Sequence, residues 1–164
     1  TSATKQKGEK SHFFGKYSKS FVGNNNSENN LDISIQDTSN DKYLKLYKIK
    51  SNLVNYNNEV LENSINFTHQ KDDIFFGLNA SVFETTKSSY EDKYEFILPE
   101  ITFDKDLFND EKLGSLDIQS NFKVRNYDTN KLESFFVNNL NWEKEYNFIP
   151  KINTKLLGNI KNIN

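Results

Sequence analysis

His12 and His69 are the only histidines, and they stand far apart in the chain. Neither has a carboxylate at ligand spacing, so they do not read as a metal site. Asp104, Asp106, Asp110 and Glu111 form an acidic cluster. It lacks the central glycine and the ligand spacing of a calcium loop, so it reads as a solvated hairpin loop. No Gly-x-Ser-x-Gly elbow, His-Glu-x-x-His pair or phosphate-cradling glycine loop occurs. Cysteine is absent, which removes thiolate chemistry, Cys-ligated zinc and any disulfide within this sequence. Carboxylates are too common here, with 23 acidic residues, to carry a glycosidase signal. The expectation is a non-catalytic protein without cofactor or metal.

The polar residues carry a different signal, which is alternation. In residues 114–126, GSLDIQSNFKVRN, Leu116, Ile118, Phe122 and Val124 share one parity, with Ser120 among them. Asp117, Gln119, Asn121, Lys123 and Arg125 occupy the other. A strand sends successive side chains to opposite faces, so this segment has an apolar face and a densely charged one. A sandwich strand in water fits that pattern. So does a strand of an outer-membrane barrel, with its apolar face on lipid and its polar face on a wet lumen. The same choice recurs at Ile74–Thr85, where Phe76, Leu78, Ala80 and Val82 alternate with Gly77, Asn79 and Ser81.

Stepping along the chain, turn-rich clusters break this period at short intervals. Candidate strands are His12–Val22, Leu31–Thr38, Tyr43–Leu53, Leu61–Gln70, Ile74–Thr85, Tyr94–Phe103, the segment at 114–126 and Glu133–Asn141. Ile152–Ile160 begins a ninth. Thr38–Asp41 reads as a tight turn, and Asn55–Glu59 as another. In the sixth strand Tyr94, Phe96 and Leu98 share a parity, while Ile101 and Phe103 take the other. Pro99 sits at the switch, where a one-residue bulge or a rim position would exchange the faces. Tyr94, Trp142, Tyr146 and Phe148 flank strand ends. They suit an interfacial aromatic belt, or equally the packing at a sheet rim. No window supports a long helix.

Composition is compatible with either wall. Hydrophobic residues make up 35%, too few for a large dry core, while aromatics reach 14%. The net charge of −2 comes from both signs mixed along the chain, without the basic stripe that nucleic acid would require. No run of ~18 apolar residues is present, which excludes an ordinary transmembrane helix but not a barrel. Residues 1–10 read as a polar leader or loop. The sequence has neither methionine nor an apolar targeting segment, so it reads as a fragment; on the barrel reading, residues 11–164 are a piece of a larger barrel domain.

Several of these segments together resemble the barrel region of the LptD family of lipopolysaccharide-assembly proteins. The likeness runs through LDISIQDTSNDKYLKLYKIK at 31–50, SVFE at 81–84, YEFILPEITF at 94–103, GSLDIQSNFKVRNYDTN at 114–130 and FVNNLNW at 136–142. Its most specific piece is Tyr94, Leu98, Pro99 and Phe103 in a Tyr-x-x-x-Leu-Pro-x-x-x-Phe pattern. The resemblance implies an all-β fold: an antiparallel meander of long strands forming part of a transmembrane β-barrel in the Gram-negative outer membrane. It also implies lipopolysaccharide transport and assembly, an LptE-like plug lipoprotein, an LptA-like periplasmic bridge and surrounding outer-membrane lipid. On that reading Asn79, Ser81, Asp117, Gln119, Asn121, Lys123 and Arg125 face the lumen. Phe76, Leu78, Ala80, Val82, Leu116, Ile118, Phe122 and Val124 face lipid. The alternatives are a secreted or periplasmic β-sandwich that binds carbohydrate, and another transport barrel such as a porin or receptor.

Overall fold

Period-two patterning with frequent turns folds into one antiparallel sheet. The computed structural model describes residues 10–40, 42–87, 94–127, 131–149 and 152–164. Apart from Lys10, the polar leader therefore lies outside the described residues. The strands are β1 (His12–Val22), β2 (Glu28–Thr38), β3 (Val60–Lys71), β4 (Ile74–Thr85), β5 (Tyr94–Asp110), β6 (Gly114–Tyr127), β7 (Lys131–Ile149) and β8 (Ile152–Ile163). They form a single eight-stranded meander in which each strand pairs only with its sequence neighbours. The sheet is open: β1 and β8 are its two edges.

Long strands follow from the β-branched and aromatic residues that recur at every second position. Turn chemistry sets their ends. Between β3 and β4, Asp72 takes a left-handed conformation at φ 47°, which Asp tolerates better than most side chains. Between β5 and β6, the Asp110 carboxylate accepts the backbone N–H groups of Lys112 at 2.7 Å and Leu113 at 2.9 Å. Gly114 follows at φ +87°.

Two register shifts bend β5. From Ile97 to Glu100 it takes three steps, while β4 takes two (Ser81 to Asn79) and β6 takes two (Arg125 to Lys123). The extra residue lies at Leu98–Pro99, whose peptide bond is cis. A second extra residue, Leu107, lies between Asp106 and Phe108. A bulge of one residue exchanges the faces of everything beyond it. Phe96 and Ile101 therefore share a side despite their opposite parity.

The third expected strand does not form. Tyr43–Tyr47 is a short helix, α1, ended by Lys48 in the left-handed region at φ 47°. Residues Tyr43, Leu44, Leu46 and Tyr47 are spaced for one turn of helix, which explains their poor fit to alternation. Nor does a tight turn at Thr38–Asp41 join two strands, because β2 ends at Thr38 and β3 begins only at Val60. The 39–59 connection instead brings Leu44 and Val54 against Leu61, with Phe14, Tyr43, Ile49 and Tyr56 around them. Those three are the buried hydrophobics among the described residues.

The expected acidic hairpin loop is likewise corrected. Asp104, Asp106 and Asp110 belong to β5, which runs on past Phe103, and only Glu111 lies in the turn. Trp142 and Tyr146 sit inside β7 and not beyond its end, because β7 extends to Ile149. The Phe148 side chain lies outside the described residues.

Candidate functional site

Cross-strand partners share a face, so the registers sort every strand residue onto one side or the other. Leu78 pairs with Ile101, and Ile101 with Phe122, which pairs with Phe136. Phe76 reaches Ser120 through Phe103. The stripes of β4 (Phe76, Leu78, Ala80, Val82) and β6 (Leu116, Ile118, Phe122, Val124) therefore lie on one continuous side. Leu31 and Ile33 of β2 join it through Phe67 and Ile65 of β3. Trp142 and Leu140 of β7 extend it toward Gly158 and Ile160 of β8.

Away from Leu61, which the 39–59 connection covers, no second layer lies on this side among the described residues. Ile65 is 51% exposed, Leu78 38%, Phe136 40% and Ile160 70%. Phe122 and Phe136 meet edge-on, with ring centroids 6.4 Å apart. A stripe of nine residues, such as Leu116–Val124, spans ~27 Å along a strand. With the usual barrel tilt that is close to the ~25 Å apolar band of an outer-membrane barrel. Some of the polar residues on this side are partnered. Ser120 Oγ donates to Asn138 Oδ1 at 2.7 Å, and His69 Nδ1 lies 2.7 Å from Asn29 Oδ1.

The opposite side holds Asn79, Ser81, Asp117, Gln119, Asn121, Lys123 and Arg125, linked into rows by hydrogen bonds. Ser81 Oγ donates to Asn79 Oδ1 at 2.8 Å, and Asn79 Nδ2 donates to Glu100 Oε2 at 3.4 Å. Lys123 Nζ approaches the same Glu100 oxygen at 3.4 Å. Asn121 Nδ2 donates to Thr102 Oγ1 at 3.2 Å. Arg125 pairs with Glu95 at 3.4 Å and stacks its guanidinium 4.5 Å from the Tyr127 ring centre. Toward the other end, Asn141 Nδ2 donates to Asp117 Oδ2 at 2.8 Å. Asn159 Nδ2 donates to Asn139 Oδ1 and Asn141 Oδ1 at 2.5 and 2.6 Å. Gln119 stands opposite Asp104 and Asn139 in the register.

Glu95, Glu100, Thr102, Asn139, Asn141 and Asn159 are members of this network that alternation within single segments does not reveal. Glu95 and Glu100 have opposite parity, and only the extra residue at Leu98–Pro99 brings both onto the polar side. The side is not uniformly polar. Phe75, Phe83, Ile97, Phe135 and Val137 also fall on it by register. Phe14 does too, opposite Gln36, and there the 39–59 connection packs against it.

The expected aromatic positions separate to the two ends of the sheet. Tyr94 opens β5, whereas the Trp142 indole N–H donates to the Leu113 carbonyl in the β5–β6 turn at 2.8 Å. The Lys144 ammonium lies 4.6 Å from the centre of the Tyr146 ring. Among the described residues no three His, Cys, Asp or Glu side chains are placed to hold a metal ion. No helix there is long and apolar enough to cross a membrane. No protein-family model, curated protein or solved structure matches the chain.

Proposed function

We propose that this chain forms part of the wall of an outer-membrane β-barrel that transports and assembles lipopolysaccharide, as its resemblance to LptD implies. One observation carries the membrane reading. Among the described residues the sheet has a continuous apolar side that, away from Leu61, no second layer covers, and hydrogen-bonded rows of polar residues run along its other side. A contiguous apolar side left open to solvent is uncommon in a monomer in water. In lipid the same side is at home, and the meander satisfies backbone groups between strands, as a spanning wall requires. A carbohydrate-binding sandwich would need a second sheet over Phe76, Leu78, Ile118 and Val124, and the described residues form one sheet only.

On this reading Phe76, Leu78, Ala80, Val82, Leu116, Ile118, Phe122 and Val124 contact lipid. Asn79, Ser81, Asp117, Gln119, Asn121, Lys123 and Arg125 line the lumen, where polar groups accommodate water, a plug protein or a phosphorylated saccharide. The lipopolysaccharide role rests on the resemblance, which includes the Tyr94, Leu98, Pro99 and Phe103 pattern. Its partners would be an LptE-like plug and an LptA-like bridge.

Two adjacent substitutions test the wall. Ile118→Arg should cost ~2–4 kcal/mol near the bilayer midplane, whereas Gln119→Arg, on the lumenal side, should cost little. Unfolding of the full-length protein in lipid vesicles measures both, and equal costs would refute the assignment of sides. Controlled depletion in the native cell tests the cargo. Surface lipopolysaccharide should fall, whereas a porin's loss would slow small-solute uptake and leave surface lipopolysaccharide unchanged.

A further inference from the structure

Because strands alternate in direction, successive connections fall at opposite ends of the sheet. One end carries residues 23–27, 72–73, 111–113 and 150–151. The other carries 39–59, 86–93 and 128–130. The two ends are therefore unequal: every connection at the first is short, and both long ones are at the second.

The 39–59 connection is also built rather than merely long. Leu44 and Val54 are 3% and 4% exposed against a fully buried Leu61. Tyr43 sets its ring 5.6 Å from that of His12. His12 and Phe14 both lie on the polar side of β1 by register. Glu59 ties the connection to the exit of β4 through Lys87, 2.7 Å away, and the Glu59 carbonyl accepts the Thr86 N–H at 2.8 Å. The connection thus packs at the rim, against Phe14 on the polar side of β1 and against Leu61, which shares the side of Ile65 and Phe67 by register.

We infer that the 39–59 end of the sheet faces the external medium, with this connection packed at the rim of β1–β3, and that the 72–73 and 111–113 end faces the periplasm. This rests on the barrel-wall reading. Outer-membrane barrels keep short turns on the periplasmic side and long loops outside. A connection with its own apolar nucleus is stable at an aqueous surface, where a flexible one would expose Leu44 and Val54. Its four lysines, Lys42, Lys45, Lys48 and Lys50, are all exposed there.

The absence of cysteine in this sequence makes single-site labelling direct. Asn52→Cys and Asn57→Cys probe the connection, and Lys112→Cys probes the tight-turn end; all three sites are exposed. The full-length protein is expressed in a Gram-negative cell and treated with a membrane-impermeant maleimide, with the unsubstituted protein as blank. Labelling of positions 52 and 57 in intact cells, with labelling of 112 only after the outer membrane is opened, is the expected result. Labelling of 112 alone in intact cells reverses the orientation and leaves the wall reading in place. If 52 and 57 react only after opening, the connection is not external, and the proposal fails. Labelling of all three in intact cells, or release of the protein from membranes by alkaline carbonate, overturns the wall reading itself.

Discussion

Lys123 on β6 and Glu100 on β5 meet across the polar side with nitrogen and oxygen 3.4 Å apart, at side-chain exposures of 30% and 26%. They are directly opposite in the register. Glu100 also accepts Asn79 Nδ2, so one carboxylate joins three neighbouring strands. A partly exposed pair of this kind is worth about 0.2–1 kcal/mol, because water already solvates both ends. A double-mutant cycle of Glu100→Gln and Lys123→Met should return a coupling in that range, measured by urea unfolding in lipid vesicles. A value near zero would show that the pair does not hold β5 to β6.

Gly114 should be irreplaceable, unlike Gly15. Its φ of +87° suits glycine, and a Cβ there would overlap the Glu143 carbonyl oxygen. Gly114→Ala should cost about 1–3 kcal/mol through backbone strain at the β6–β7 pairing. Gly15 would meet only the Phe13 ring, at 3.4 Å, so Gly15→Ala should be nearly neutral. Equal unfolding midpoints for the two variants would contradict this.

Leu61→Ala should loosen the 39–59 connection while leaving the sheet intact. The side chain is fully buried beneath Leu44 and Val54, and large-to-small changes at such sites cost ~2–5 kcal/mol. Limited proteolysis should cut within 39–59 far faster in the variant, with the strand signal in circular dichroism retained. Loss of both together would mean that the connection and the sheet are one cooperative unit.

Acid should release the same connection from β4. The Lys87 ammonium, hydrogen-bonded to the Glu59 carboxylate, holds that carboxyl below its ordinary value of 4.5, helped by the more distant Lys45. A lowered native pKa means the stabilisation is present above the ordinary value and is lost as pH falls through the native one. Hydrogen exchange at the Thr86 amide, corrected for its intrinsic rate, should accelerate across that acid window. Glu59→Gln should flatten the change. An identical pH response in both proteins would rule out Glu59 as the fastener.

Much of the sheet was legible in the sequence because alternation is local. His12–Val22 and Ile74–Thr85 are read to the residue, and the switch at Pro99 is visible from the parity of Phe96 and Ile101 alone. Register is not local, so nothing in the segments themselves pairs Lys123 with Glu100 or links Asn159 to Asn141. The error at Tyr43–Leu53 has a physical cause. Leu44 and Val54 belong to a small tertiary nucleus around Leu61, and packing there overrides a pattern too short to distinguish helix from strand. The extension of β5 to Asp110 was missed because Asp104 and Asp106 look like loop residues until they are seen to stand on a polar side.

The strand order has a consequence for how the wall assembles. Every pairing joins sequence neighbours, so most closures span only one hairpin, and the entropy lost at each step is small. The exception is β3 joining β2 across 39–59. Once β1 and β2 are paired, that longer excursion must be drawn in before the edge can grow again. The nucleus of Leu44, Val54 and Leu61 partly offsets the cost at that step, which makes the second hairpin junction the natural pause in a sheet that otherwise lengthens one strand at a time.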